Sequence, residues 1–270
     1  MTNLLDTDFV HLAADHVLSF DVVTTDGRFL TANEKENPDL YWALKGGGPS
    51  TFAVIISVTV KTHPELPTAG VVIDINSTHT TNDSLIWKAA SLFHNRANYW
   101  VDHGMFVYYE VFPGSLHIRP FVGPNMTAEQ ITTVVKPLLD DFDAAKIPYS
   151  KIIKGYPTFY NLYIDLFEDE SAGGSTLVGG RMFTRDDISK HGDEIMSAYK
   201  KIVAPDATAF QPIGFLIGHI VGPGHGNPDS DNAINPKWRN TTSFTITNVV
   251  VDPGKPICFM PSCFYRELYC

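Results

Sequence analysis

A short helix, three consecutive glycines and a long apolar strand follow one another between residues 37 and 61. Asn37 and Pro38 are typical of a helix start, and Gly46 can adopt the left-handed conformation that ends a helix. The segment at 51–61, TFAVIISVTVK, is β-branched and almost continuously apolar, which predicts a strand covered on both faces. The chain is therefore expected to fold around a sheet packed against helices.

Further strands and helices are predicted on both sides of this unit. Residues 17–24 and 28–32 favour strands, and Asp26-Gly27 between them suits a tight hairpin turn. Beyond residue 70, strands are predicted over 105–112, 116–122, 175–183 and 210–221, and helices over 84–99, 128–145 and 186–202. Strands packed with helices on one side predict an α+β domain here, with a domain boundary in the Pro-containing stretch 62–70.

Charge and composition exclude several classes of protein. The 270 residues contain 20 Lys and Arg against 30 Asp and Glu, a net charge of −10, and no basic patch. Binding to nucleic acid or to an anionic membrane is therefore not expected. No apolar run approaches the ~20 residues of a spanning helix, so no membrane segment is expected.

The start of the chain has neither the basic cluster nor the apolar segment of a secretory signal, which favours a cytoplasmic location for the chain as written. Four N-x-S/T glycosylation sequons favour a location outside the cytoplasm, so both locations stay open. The sequons lie at Asn76, Asn82, Asn125 and Asn240.

The glycines at 46–48 permit two interpretations. Consecutive glycines allow a backbone to approach a ligand closely and to converge its N–H groups on a pyrophosphate. Alternatively, Gly46 ends the helix and the next two residues only turn the chain. Neither standard phosphate-binding spacing occurs here.

A loop rich in histidine and aspartate, HIVGPGHGNPDSD, suggests a metal site at His219, His225, Asp229 and Asp231. Its spacing matches no standard ligand set, so a polar loop without metal is the preferred interpretation. The sequence also lacks the G-x-S-x-G, H-E-x-x-H and C-x-x-C motifs of hydrolases, zinc proteases and dithiol enzymes.

Several blocks of sequence resemble the berberine-bridge-enzyme-like FAD-linked oxidases, flavoproteins of the vanillyl-alcohol-oxidase (VAO) type whose FAD domain is called PCMH-type. The blocks are HLAADHVL at 11–18, DVVTTDG at 21–27, NPDLYWALKGGG at 37–48 and PSTFAV at 49–54. LVGGRM at 177–182 and AINPKWR at 233–239 resemble pieces of the substrate domain of the same family.

The resemblance implies an α+β chain with the second half of a PCMH-type FAD-binding domain at 1–66 and a substrate domain at 67–251. The substrate domain would hold an antiparallel sheet flanked by helices. Residues 252–270, which carry the cysteines 258, 263 and 270, resemble nothing in the family. Since the family's first FAD subdomain and its last segment find no match, the chain is expected to be truncated at both ends.

The resemblance also implies a cofactor, a substrate class and a set of site residues. The cofactor is FAD, and the substrate is a small organic molecule with an alcohol, amine or sugar-type carbon. The implied FAD-binding residues are Ala13, Ala14, Asp15 and Val17 near the ribityl and pyrophosphate groups, Gly46, Gly47 and Gly48 in a loop wall, and Val54 near the adenine. No catalytic base is assigned.

Four further residues lie on strands that face the substrate pocket in the family: Tyr108, Tyr109, His117 and Arg119. Because side chains alternate along a strand, only one of the two tyrosines can face the pocket. Two alternatives to an oxidase stay open: a binding protein without flavin, and a cyclase that uses the same fold.

Overall fold

The computed structural model describes residues 12–167, 176–203, 214–222 and 231–250. These residues divide into two compact units. The first unit comprises the described residues of 1–64 and 223–240, and the second comprises those of 65–222 and 241–270. The sequence-based division assigns residues 231–240 to the second domain, whereas in the structure they pack with the first unit. The predicted tail at 252–270 lies outside the described residues.

The first unit is a three-stranded antiparallel sheet with two short helices. Its strands are β1 (Val17–Thr24), β2 (Phe29–Ala32) and β3 (Ala53–Val60), in the order β2-β1-β3. Helices α1 (Pro38–Leu44) and α2 (Pro49–Phe52) precede β3, and 3₁₀ turns occupy Ala13–His16 and Pro236–Asn240. The predicted hairpin is confirmed, since β1 pairs with β2 and Gly27 in the turn has a φ of 82°.

The prediction that the apolar strand at 51–61 is covered on both faces is wrong. β3 pairs with β1 alone among the described strands, so it is the edge of its sheet. Only Ala53 of this strand is buried, whereas Val54 is 65% exposed and Ile56 is 58% exposed. A continuous apolar run therefore belongs to an edge strand here. The prediction failed because the sequence of a strand does not show which elements lie beside it.

The second unit contains a seven-stranded sheet in which every strand pairs antiparallel. Its order is β7-β4-β6-β5-β9-β10-β8. The strands are β4 (Thr68–Ile75), β5 (Phe106–Phe112), β6 (Ser115–Pro124), β7 (Ser150–Tyr156), β8 (Thr176–Thr184), β9 (Gly214–Ile220) and β10 (Thr241–Val250).

Six helices belong to the second unit: α3 (Asp83–His94), α4 (Ala97–Asp102), α5 (Ala128–Ala144), α6 (Phe159–Leu166), α7 (Arg185–Lys190) and α8 (Gly192–Val203). All except α6 contribute to the main core on one face of the sheet. The α+β prediction is confirmed, although the helices predicted at 84–99 and 186–202 are each split in two. The capping box of Thr127 and Gln130 is present at the start of α5. Of the helices described, none is long and apolar enough to cross a membrane.

The main core contains a small group of polar side chains. His94 is 1% exposed and lies against the rings of Tyr109 and Tyr199, with ring centroids 6.2 and 5.4 Å away. Its Nε2 is 3.5 Å from the Tyr199 hydroxyl, which also bonds to Thr245. Nδ1 of His94 has no hydrogen-bond partner in the described part of the chain. Burial therefore lowers the pKa of His94 to about 4, because the protonated ring would lose its hydration.

We expect this histidine to make the second unit acid-sensitive. The pKa of His94 is lower in the folded state than the ordinary value of 6.5 in the unfolded state, so only the unfolded state gains a proton between these values. Stability is thus fully present above pH 6.5 and falls by about 2–3 kcal/mol as the pH drops towards 4. Urea unfolding at pH 7.5 and pH 4.5 measures this loss.

His94→Leu should remove most of that pH-dependent loss, whereas His191→Leu on the exposed surface should leave it unchanged. An equal pH-dependent loss in wild type and His94→Leu would contradict the prediction.

Candidate functional site

An ion pair joins the two chain segments of the first unit. The guanidinium of Arg239 donates to both carboxylate oxygens of Asp15, at 2.6 and 2.7 Å. Asn232 Nδ2 donates to the same carboxylate at 2.7 Å, and the backbone N–H of Leu12 donates at 3.1 Å. The side chains of Asp15 and Arg239 are 4% and 14% exposed. The carboxylate of Asp15, a residue that the resemblance assigns to FAD, therefore holds the segment 231–240 in place.

Gly46 and Gly47 pack against the segment 231–240. A β-carbon at position 46 would lie 2.2 Å from Cγ1 of Ile234, and Gly46 has a φ of 98°. A β-carbon at position 47 would lie 2.5 Å from the carbonyl oxygen of Ala43 and 3.1 Å from Cβ of Ala233. Only glycine fits at these two positions without a shift of the backbone.

The amides of these glycines are engaged by the end of α1. Gly46 N–H donates to the carbonyl of Leu44, and Gly47 N–H donates to that of Ala43. These bonds satisfy carbonyls at a helix C-terminus, as expected for the helix-ending interpretation. Gly48 differs, because a β-carbon there would meet only Thr51 Oγ1, at 3.4 Å, and its φ of 84° alone favours glycine. A role of the three glycines in binding FAD stays a prediction.

The remaining residues assigned to FAD lie around β1 and β3. Ala13 is exposed and Ala14 is half-buried in the 3₁₀ turn that precedes β1. Val17 is buried, and its carbonyl accepts a hydrogen bond of 2.6 Å from the hydroxyl of Tyr41. Val54 is 65% exposed on β3. Their contribution to a cofactor site also stays a prediction.

Lys45, which sequence analysis did not select, is a buried cation beside the glycines. It is 7% exposed, and its Nζ lies 3.3 Å from the Tyr41 hydroxyl and 4.6 Å from the centre of that ring. Among the described residues, no carboxylate lies within ion-pair distance of it. A buried ammonium needs a counter-charge to be stable, so Lys45 fits an anionic ligand. Its position next to the glycines is the sequence signal that could have identified it.

In the second unit, one face of the sheet is buried under helices and the other carries polar side chains. Tyr109 is 1% exposed in the main core, so Tyr108 is the tyrosine on the opposite face. We call this second face the polar face and define it by residues that alternate with core residues: Asp74, Tyr108, Glu110, His117, Arg119 and His219. The sequence left open which of the two tyrosines faces outward. Because Tyr109 is part of the core, Tyr108 is the one on the polar face.

Aromatic rings lie on and beside the polar face. Tyr108 packs edge-on against His219, with ring centroids 5.0 Å apart, and Phe112 stacks on Phe215 at 5.1 Å. At one end, helix α6 lies over β4, where Leu166 and Leu162 fill the space above Gly70. Apolar walls around convergent polar groups are the usual make-up of a small-molecule site.

Asp74, His117 and Arg119 form a charged group on this face. His117 Nδ1 lies 2.7 Å from Asp74 Oδ1, and Arg119 Nη2 lies 3.7 Å from the same oxygen. His117 and Arg119 are among the residues expected from the sequence, whereas Asp74 is not, although a lone aspartate within the apolar run TAGVVIDI was a usable signal. Their proximity depends on the pairing of β4 with β6, which the sequence alone does not reveal.

The loop considered for metal binding is only partly described. His225 and Asp229 lie outside the described residues. Asp231 accepts a hydrogen bond of 2.8 Å from Trp42 Nε1, and His219 is packed among aromatic rings. In the described ranges, no group of three or more His, Cys, Asp or Glu side chains could hold a metal ion.

Comparison with known proteins identifies the class to which these features correspond. No model of a known protein family matches the chain. The VAO-type flavoprotein oxidase VAO615 of Thermothelomyces thermophilus is 37% identical over 236 residues, which are 84% of this chain and 39% of that relative. The FAD-linked oxidoreductase patO of Aspergillus clavatus is 32% identical over 231 residues, again 84% of this chain and 39% of the relative.

Solved structures of this class have the same fold. The crystal structure of the VAO-type flavoprotein MtVAO615 from Myceliophthora thermophila C1 superposes with a TM-score of 0.77 at 24% identity, covering 93% of this chain and 45% of that one. A carbohydrate oxidase from Microdochium nivale gives a TM-score of 0.66 at 16% identity, covering 97% and 55%.

The chain is a homologue of the VAO-type FAD-linked oxidoreductases, which confirms the family resemblance. The antiparallel α+β architecture and the match to PCMH-type flavoproteins confirm the predicted fold class. The chain spans between 39% and 43% of the length of the first curated relatives that it matches.

We expect the Asp15 to Arg239 ion pair to be a main source of stability in the first unit. Arg239→Gln removes the guanidinium that donates two hydrogen bonds to a carboxylate that is 4% exposed, so the free energy of unfolding should fall by about 3 kcal/mol or more. Urea denaturation followed by tryptophan fluorescence measures it, with Trp42 and Trp238 as reporters in this unit.

Arg28→Gln is the matched control in the same unit. It breaks an ion pair with Asp26 in which the side chains are 66% and 55% exposed, so the free energy of unfolding should stay close to that of the wild type. Equal losses in the two variants would show that the Asp15 pair does not hold the unit together.

Proposed function

We propose that the protein acts in the FAD-dependent oxidation of a small organic molecule, with FAD on the first unit and the substrate on the polar face of the second. The names of its relatives support the class of reaction. The observation that carries the proposal is the polar face itself, where a carboxylate, an imidazole and a guanidinium lie within an aromatic surround. Such a surface suits a ring-bearing or hydroxylated substrate.

The residues of the first unit fit FAD in two respects. The buried ammonium of Lys45 has no carboxylate partner in the described residues and suits the negative charge of the pyrophosphate. The exposed apolar side chain of Val54 offers a surface for a flat aromatic base. By contrast, the amides of Gly46 and Gly47 are already bonded to α1, so Gly48 is the glycine best able to approach the cofactor.

Bound FAD would supply a two-electron acceptor, and the chain would supply position and charge. Lys45 would neutralise an anionic group, while its ammonium stays fixed by the Tyr41 hydroxyl, which also bonds to the Val17 carbonyl. On the polar face, Tyr108 and His219 would pack against the substrate, and Arg119 and His117 would orient its polar groups. The aromatic surround would limit access of water to the reacting groups.

The proposal predicts saturable FAD binding that depends on Lys45. Lys45→Met removes the ammonium but keeps an apolar chain of similar length, so the Kd for FAD should rise by about 10- to 100-fold, the effect of one charge-assisted hydrogen bond. Quenching of FAD fluorescence measures it. Lys35→Met, at an exposed position of the same unit, should leave the Kd unchanged.

Riboflavin, which has no phosphate, separates a lost contact from a damaged fold. Its affinity should be the same for wild type and Lys45→Met. A wild type without saturable FAD quenching would contradict the proposed function, and an equal rise of both Kd values would contradict the role of Lys45.

A further inference from the structure

Asp74 and His117 form a hydrogen-bonded pair on the polar face. Asp74 on β4 lies directly opposite His117 on β6 in the strand register, and Asp74 Oδ1 is 2.7 Å from His117 Nδ1. Both side chains point away from the main core, since Ile73, Leu116 and Ile118 beside them are fully buried within it. The strand pairing itself therefore fixes the pair.

The hydrogen bond determines which nitrogen of His117 carries the proton. A carboxylate only accepts hydrogen bonds, so Nδ1 must donate and the neutral ring leaves a lone pair on Nε2. Within the described residues, Nε2 of His117 makes no hydrogen bond. The side chains of His117 and Asp74 are 15% and 25% exposed, so the ring is held in place and still accessible.

Two charged groups and one hydroxyl, from three strands, face this pair. Arg119, two residues along β6, has Nη2 3.7 Å from the same Asp74 oxygen, and Glu110 on β5 lies opposite His117 in register. Ser150 is opposite Asp74 on β7. The Phe112 ring lies edge-on to His117, with ring centroids 6.2 Å apart. The arrangement resembles the carboxylate and imidazole pair that enzymes use to move a proton.

We propose that His117 is the proton acceptor for the hydroxyl group of an alcohol substrate, and that Asp74 is its positioning residue. This inference rests on the proposed function. His117 Nε2 would accept the substrate O–H proton, the O–H electron pair would form the C=O bond, and bound FAD would be the acceptor of the hydride from the adjacent C–H bond. Asp74 holds the imidazole in its accepting tautomer and stabilises the imidazolium that forms.

The tautomer is tested first, on the full chain without cofactor, by long-range ¹H–¹⁵N NMR of the histidine rings. We expect His117 to carry its proton on Nδ1, and Asp74→Leu to shift it to the Nε2-protonated form that free imidazoles favour. A wild-type His117 protonated on Nε2 would overturn the proposal whatever the flavin does.

Proton transfer is tested on the FAD-loaded protein with benzyl alcohol as the probe and flavin bleaching as the signal. His117→Asn keeps an amide donor near the position of Nδ1 but has no acceptor at Nε2, so the rate of bleaching should fall about 100-fold or more. His191→Asn, at an exposed surface position, is the matched control and should bleach at the wild-type rate.

Added imidazole separates proton transfer from a structural role. It should restore part of the bleaching rate to His117→Ala, because a free base can fill the space, whereas a merely structural loss is not restored in this way. Equal rates in wild type and His117→Asn would overturn the proposal. A wild type that binds no FAD would instead contradict the proposed function. The tautomer of His117 would then still test its pairing with Asp74, because that measurement needs no cofactor.

Discussion

The first unit depends on a buried ion pair between residues that are 224 positions apart in the chain. Asp15 takes two hydrogen bonds from Arg239 and one from Asn232, so the segment 231–240 is fixed beside the start of β1. Once there, Ala233 and Ile234 lie against Gly46 and Gly47. Breaking such a pair costs more than making it contributes, because the remaining charge stays buried. The segment that packs against the glycine turn is thus held in place by a residue far away in sequence.

The second unit separates its polar chemistry between the two faces of one sheet. Under the helices, His94 and Tyr199 form a small network that the apolar core keeps neutral. On the polar face, Asp74 and His117 are partly exposed and joined by a hydrogen bond. Strand alternation produces this separation, since adjacent residues such as Tyr108 and Tyr109 must point to opposite faces. One sheet can therefore support a rigid core and a reactive surface.

Sequence alone predicts the features that depend on neighbouring residues. The hairpin of β1 and β2, the start of α1 at Pro38 and the capping box of α5 follow from turn and cap chemistry within a few residues, whereas the Asn37 side chain makes no cap hydrogen bond. The edge position of β3 and the contact of Asp74 with His117 were not predictable, because they depend on which strands pair. The ion pair of Asp15 with Arg239 was not predictable either, because it joins two segments that are distant in sequence. The resemblance supplied the fold class but not the partners of single side chains.

The glycine segment illustrates why a family motif and a ligand contact need separate arguments. NPDLYWALKGGG carries much of the resemblance, yet the structure explains Gly46 and Gly47 by the end of α1 and by close packing alone. What packing does not explain is Lys45, a buried cation held only by a tyrosine hydroxyl and ring among the described residues. Desolvating an ammonium is costly without an anion nearby. The chemical signal for an anionic cofactor in this segment is therefore the lysine more than the glycines that follow it.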